Sequence, residues 1–300
     1  MHSALSDPDG GSRTATSPPG QSAPCVLCGE SRSNTLFTKN GFDLVRCPSC
    51  TLVRARPIPT EEQLAQIYEA SYREGGYAVF AAADEVRLAH ARTRLGLVAP
   101  HAPPGPWLEA GCSSGAFLEC ATRSGIDIDG FDISQVAIDA AQERGLSART
   151  ASADTFIPRR KYAYVCAFDV LEHVTDPGAF LERARGWLAP GGSLALTVPD
   201  IGSVHARLMG RHWYYYAPPL HLTYFDRRTI GRILEKHGFT PSLLRSAPKP
   251  LTLDYAIGQF ANFNPTLHRV VSGLGRLVPA FVRRRELPLS TGEILVVATT

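Results

Sequence analysis

From Trp107 onward, short apolar runs alternate with stretches in which apolar residues return every three or four positions. The first pattern is that of buried strands and the second that of helices with one apolar face. Strands are expected near 107–110, 128–132, 163–168 and 193–198, with a weaker one near 147–151. Helices fall between them at about 115–124, 134–144 and 176–188. Such alternation implies a parallel sheet covered on both faces. A helix over 227–237, stopped by Gly238, leads to a strand near 239–246, and the apolar run EILVVATT closes the chain. Between those last strands, residues 251–287 form an apolar insertion broken by Gly258, Pro265, Gly273, Gly275 and Pro279.

Upstream the pattern differs. Thr60 and Gln63 have the spacing of a capping box, and Leu64, Ile67, Tyr68 and Tyr72 give the following helix an apolar face. A Gly75-Gly76 break precedes a second helical stretch through Val86, Leu88, Ala89 and Leu95. The Pro-rich linker HAPPGP ends this region. The chain thus divides into a flexible tail (1–22), a cysteine-bounded module (23–59), a helical cap and linker (60–104) and an α/β core (105–300). The core carries an aromatic segment at about 202–225 and the insertion at about 251–287.

Composition narrows this picture. With 44% hydrophobic and 20% charged residues the chain can bury a core. A net charge of +3, with Lys and Arg dispersed, argues against a dedicated nucleic-acid binder. The opening MHSALSDPDGGSRTATSPPGQSA lacks the apolar stretch of a signal peptide, and no run reaches the ~18 apolar residues of a membrane span. A cytoplasmic protein with reduced thiols and no membrane span is expected.

Four of the seven cysteines form two C-x-x-C pairs, Cys25/Cys28 and Cys47/Cys50, eighteen residues apart. That is the spacing of a four-thiolate structural zinc site. Between the pairs, TLFTK and FDLVR flank Asn40-Gly41, a strong hairpin turn signal. Metal ligation would supply folding energy that so small a segment cannot obtain from burial. A redox role for either pair is the rival reading. Cys112, Cys120 and Cys166 fit buried small hydrophobes.

The segment PWLEAGCSSGAFLECA reads strand, Gly-rich turn, helix, with Gly111 and Gly115 at the turn. Asp132 ends the next strand, twenty-one residues after Gly111, where a carboxylate can accept ribose hydroxyls. The full dinucleotide fingerprint is missing, because Ser113 and Ala116 replace its second and third glycines. No G-K-[ST] is present either. An adenosyl ligand without phosphate fits such a loop.

LEAGCSSGAFLE, GFDIS and FDVLEHVTDPGAFLERARGWLAPGGSLALTVPD, in that order, resemble class I S-adenosylmethionine-dependent methyltransferases over about residues 105–246 plus the closing strand. The resemblance implies a Rossmann-like sheet of parallel strands with an antiparallel C-terminal strand, here joined to a small N-terminal zinc ribbon. It implies cofactor contacts from Glu109, Gly111, Cys112, Ser113, Gly115, Asp132, Ile133 and Phe168, with Asp132 on the ribose. Asp154, or equally Ser152, would reach the adenine. Two positions depart from the pattern, Ala163 for an expected Asp and Asp200 for an expected Asn. N-terminal zinc modules of this kind resemble those on some bacterial methyltransferases of sugar and secondary metabolism.

Methyl transfer from a sulfonium needs alignment and, for some acceptors, loss of a proton. His173 follows the fourth strand directly and is the first candidate base, with a loop-orienting histidine as the alternative. RHWYYYAPPLHLTYF packs aromatics around His212 and His221, and an aromatic lid over an organic acceptor is expected, with a loop packed onto the sheet edge as the alternative and His221 the better candidate of the two histidines. Tyr72 and Tyr77 are candidates to cover the methionine end of the cofactor. The expectation is methylation of a small molecule at oxygen. Carbon methylation of a nucleotide-linked sugar, a zinc-ribbon modifier of RNA or protein, and a non-enzymatic scaffold are the alternatives. Arg32, Lys39, Arg46, Arg54 and Arg56 are the basic residues of the module that the RNA reading would use.

Overall fold

The computed structural model describes residues 23–73, 84–252, 257, 269, 271–273, 275, 277–283 and 286–300. The tail, Tyr77, the Gly75-Gly76 break and most of the insertion lie outside the described residues.

The cysteine module opens with β1 (Asn34–Lys39) and β2 (Phe42–Arg46), paired antiparallel. Asn40 and Gly41 turn the hairpin at φ 50° and 77°, the left-handed conformation that this two-residue turn needs. β3 (Val53–Arg56) pairs with β2. Helix α1 (Glu61–Arg73) starts with the expected capping box: the Gln63 N–H donates to Thr60 Oγ1 at 3.2 Å, and the Thr60 N–H to Gln63 Oε1 at 2.9 Å. Helix α2 (Asp84–Val98) follows.

The core runs β4 (Trp107–Ala110), α3 (Ala116–Arg123), β5 (Ile128–Asp132), α4 (Gln135–Glu143), β6 (Ala148–Thr150), β7 (Tyr162–Phe168), α5 (Pro177–Trp187) and β8 (Leu188–Pro199). After it come α6 (Val204–Met209), β9 (Thr223–Tyr224), α7 (Arg227–Lys236), β10 (Thr240–Thr252), α8 (Ala280–Arg283) and β11 (Glu286–Thr299). Seven strands form one sheet in the order β10-β11-β8-β7-β4-β5-β6. The five from β8 to β6 are parallel, while β11 runs antiparallel to β8 and β10 antiparallel to β11. This is the expected Rossmann-like architecture. Strand order reverses between β4 and β7, and open parallel sheets bind ligands beyond the strand ends at such a point.

Each face of the sheet is covered. One buries Trp107, Phe117, Ile138 and Tyr164 against α2, α3 and α4. The other buries Phe131, Phe156, Phe180, Trp187 and Ile230 against α5 and α7. Cys25, Leu27, Cys47, Cys50 and Leu52 belong to that second cluster, so the cysteine module is built onto the core. Its sheet is also extended from the core side. β9 pairs with β3 through Val53 opposite Tyr224 and Arg54 opposite Thr223, giving a four-stranded sheet β1-β2-β3-β9. Trp213, Tyr216, Leu222 and Tyr224 of the aromatic segment pack with Leu44, Val53, Ala55 and Leu64. Much of the expected lid is therefore buried wall, and Trp213 is wholly inaccessible.

Candidate functional site

The cofactor loop is shaped by glycine geometry. Gly111 and Gly115 have φ of 73° and 82°, which side chains rarely tolerate. A Cβ on Gly111 would stand 2.6 Å from Val170 Cγ2, and one on Gly115 2.6 Å from Leu146 Cδ1. Ser113, at φ 48°, turns its N–H onto Asp132 Oδ2 at 2.9 Å, while the Ser134 N–H donates to Asp132 Oδ1 at 2.9 Å. Asp132 thus ties the loop after β4 to the end of β5. Each of its oxygens retains acceptor capacity for a hydroxyl. Burial pushes its carboxyl above the usual carboxylate range against the pull of those N–H groups.

Glu109 is buried at the end of β4. Desolvation pushes its carboxyl up to about 8, with Asp132 adding and Arg94 and Arg87 opposing. Cys112 and Phe168 are buried, and Phe168 stands edge-on to Phe117 at 4.9 Å. Ile133 is 45% exposed beside Asp132. Asp154 sits apart at the surface, paired with Arg183 at 2.7 Å.

A second group of polar residues lies beyond the ends of β7 and β8. Asp169, at φ 56°, accepts from Thr197 Oγ1 at 2.8 Å and pairs with Arg94 of α2. Arg87, one face-repeat earlier on α2, is buried and donates to Ser114 Oγ of the cofactor loop. The Tyr215 hydroxyl donates to Glu293.

His173 and His221 meet edge to face, ring centroids 4.6 Å apart. His173 Nδ1 shares a 2.6 Å hydrogen bond with the Tyr68 hydroxyl, and its Nε2 lies 3.8 Å from Glu172 Oε1. Burial pushes the His173 imidazole down to about 4, so it is neutral at ordinary pH. His221 Nδ1 lies 2.8 Å from the Tyr215 carbonyl oxygen, which makes Nδ1 the donor. The backbone joins the two histidines as well: the N–H groups of Leu222 and Thr223 donate to the Glu172 carbonyl at 2.8 and 3.2 Å. His212 is exposed beside Arg211. Asp200 accepts from the Gly202 N–H at 2.8 Å and faces Arg227. Tyr72 lies on α1.

The four cysteine sulfurs of the module lie within 4.8 Å of one another, with Cys25 and Cys50 at 3.4 Å and Cys28 and Cys47 at 3.5 Å. All four are free thiols. Sulfurs bound at about 2.3 Å around a tetrahedral ion stand a little under 4 Å apart, so the donor set fits zinc. Burial raises Cys47, but the N–H groups of Cys50 and Ser49 and the neighbouring thiols outweigh it and draw it down to about 7.

Tyr68, Arg87, Arg94 and Glu293 are the site residues that sequence patterns did not single out. Arg87 and Arg94 are seven positions apart on the helix face that also buries Ala91 and Val98, and charge on a buried face was the available signal.

A family model described as a methyltransferase domain matches residues 80–243, more than half of the chain. The chain belongs to that family. A ubiquinone biosynthesis O-methyltransferase from Bradyrhizobium sp. (strain ORS 278) is 34% identical over 116 residues, 37% of this chain and 42% of that protein. The chain therefore spans less than half the length of the curated relatives it first matches. Magnesium protoporphyrin IX methyltransferase from Synechocystis PCC 6803, solved with bound S-adenosylhomocysteine, shares 15% identity at a TM-score of 0.52, covering 78% of this chain and 98% of its own. The cyclase SpnF has the same fold at a TM-score of 0.53 and 18% identity, covering 81% of this chain and 96% of its own. The last two likenesses establish the fold. Within this methyltransferase-domain chain, the glycine-shaped loop between β4 and α3, tied to Asp132, is the candidate cofactor loop.

Proposed function

We propose that the chain transfers a methyl group from S-adenosylmethionine to an oxygen of a small organic acceptor, in specialised metabolite or sugar metabolism. Bound S-adenosylmethionine supplies an already activated methyl on a sulfonium sulfur. Gly111 and Gly115 leave room for its close approach, and Asp132 accepts its ribose hydroxyls. Glu109, Cys112, Ser113, Ile133 and Phe168 line the same cradle, and Ser152 reaches the adenine edge, since Asp154 is turned to the surface and paired with Arg183. Arg87, buried beside Ser114, supplies a positive charge for the carboxylate of the methionine part.

The observation that carries the acceptor side is the His173–His221 pair, oriented by Tyr68 and the Tyr215 carbonyl and set beyond the strand ends. In the transfer, the oxygen lone pair forms the new C–O bond as the C–S bond breaks, and the hydroxyl proton leaves at the imidazole pair. Tyr214, Tyr215 and the walls behind them hold the acceptor's apolar body and exclude water. The O-methyltransferase names of the matched relatives support oxygen as the acceptor atom. The cysteine module binds one structural zinc, as its donor set supports. Among the described residues no helix is long and apolar enough to cross a membrane.

The test is a methyl-transfer assay with labelled S-adenosylmethionine against a panel of phenolic and sugar hydroxyl acceptors. Product labelled at an ether oxygen is expected. Label confined to carbon or nitrogen, or to protein or RNA, would overturn the reading.

A further inference from the structure

We infer that Arg54 is a positioning residue of the acceptor site: from the cysteine module it grips the loop that carries His173 and fixes where the imidazole stands. Arg54 lies on β3, where Val53 and Ala55 are buried with the aromatic segment and Arg54 and Arg56 take the opposite face. Its Nη2 donates to the Thr175 carbonyl at 2.7 Å, two residues after His173. A charged donor makes this the stronger kind of hydrogen bond.

The loop is gripped on both sides of the histidine. Across the pairing of β3 with β9, Arg54 stands opposite Thr223, and the Thr223 N–H donates to the Glu172 carbonyl at 3.2 Å. One register step of the module's sheet thus reaches the residue before His173 through β9 and the residue two after it through Arg54. Beyond Thr175 the chain is anchored by Asp176, which caps α5 by accepting from the Gly178 and Ala179 N–H groups at 2.8 and 3.1 Å. The Thr175 hydroxyl donates to Glu61 in the first turn of α1, the helix that also brings Tyr68 to His173. Arg54 therefore acts on the stretch 173–175, which lies between β7 and α5 and belongs to neither.

Stability alone does not account for a guanidinium here. Its Nε is enclosed and has no hydrogen-bond partner among the described residues. Burial pushes the group below its ordinary range; Asp176 and the Cys25 sulfur oppose this, and Arg56 adds to it. A methionine of similar length would fill the space without that cost, and apolar replacements of buried charges are often neutral or stabilising. What methionine lacks is the bond to Thr175. The inference rests on the acceptor reading above and deepens it, because it gives the cysteine module a direct route to the imidazole pair.

The experiment uses the full chain, saturated with zinc and labelled at histidine, as the parent, Arg54→Met and Arg54→Lys. NMR follows the His173 Cε1–H resonance against pH, assigned by its loss in His173→Asn. In the parent, burial holds this imidazole at about 4, opposed by Asp169 and a backbone hydrogen bond at Leu220. Arg54→Met should free the loop to hydrate and move the midpoint up by about one pH unit or more. Arg54→Lys keeps a charged donor and should return most of the way. Zinc content, melting temperature and S-adenosylhomocysteine affinity should match the parent's in both. Methyl transfer to an acceptor hydroxyl should fall in Arg54→Met by about 10–100-fold in kcat with KM little changed, the scale of a misplaced reacting group. A His173 midpoint that stays at the parent's value in folded Arg54→Met would overturn the inference. Loss of zinc or of the melting transition in Arg54→Met would overturn it equally, by making the arginine structural. A moved midpoint in a chain whose parent methylates no hydroxyl acceptor would uphold the grip on His173 and overturn the acceptor reading.

Discussion

The sheet that carries the cofactor loop and the sheet that carries the four cysteines are assembled in different ways. The cofactor half draws its parts from neighbouring stretches of chain: β4, its glycine turn, α3 and β5 follow one another over about 107–132, and Asp132 folds back onto Ser113. The proposed acceptor half is gathered from four distant stretches. Tyr68 comes from α1, His173 from the loop after β7, His221 from the segment before β9, and β3 from the cysteine module. The Ala55 N–H donates to the Leu222 carbonyl at 2.9 Å, directly beside His221, and Asn40 Nδ2 donates to the Pro218 carbonyl at 2.9 Å. The comparison teaches that the module walls the region around His221, the proposed acceptor site. Damage to it should therefore fall on turnover and spare cofactor binding.

Zinc loss should produce the largest effect. On the proposed zinc reading, Cys47→Ser or chelation should loosen β3 and release β9, because tetrahedral ligation would hold so small a sheet together. Turnover should fall by more than about a hundredfold, the scale of losing a positioned proton-transfer group, while S-adenosylhomocysteine affinity moves by a few-fold. Metal analysis, assay and calorimetry on one preparation check this. Equal loss of both activities would erase the distinction between the halves.

His221→Ala cuts within the acceptor half alone. Turnover should drop by about a hundredfold with the fold and the cofactor affinity intact. A variant that binds the cofactor normally and turns over at the parent rate would remove the imidazole pair from the chemistry.

The smallest effect belongs to the cofactor half and appears in stability against pH. Glu109 is held up to about 8 by burial, so between its unfolded value and that pH the native state carries a proton that the unfolded chain has released. Stability should therefore fall as pH rises through this window. Glu109→Gln removes the term, and its melting temperature relative to the parent should climb by several degrees between pH 5 and pH 8. A constant difference across that range would show that Glu109 is ionised in the fold.

The contrast also explains what could be read from the sequence. The strands, the glycine turn and Asp132 were legible because each is specified by local periodicity or by a residue type that a turn demands. The Thr60–Gln63 box and the Asn40-Gly41 hairpin are of the same kind. The pairing of β3 with β9 has no local signature, since a two-residue strand is defined only by its partner. The aromatic run suggested an open lid, yet Trp213 and Tyr224 are buried because the module's Leu44, Val53 and Ala55 cover them. Tyr68 read as one apolar position on a helix, and only the fold shows its hydroxyl on His173.

The central claim is that the β4 loop and Asp132 hold an adenosyl cofactor. Calorimetric titration of the purified chain with S-adenosylhomocysteine, beside the same titration of Asp132→Ala, tests it directly. One site per chain is expected in the parent, weakened in the variant by about 1.5–3 kcal/mol, the worth of a charged hydrogen-bond acceptor. Binding of NADH with none of S-adenosylhomocysteine, or equal affinity in both proteins, would contradict the account.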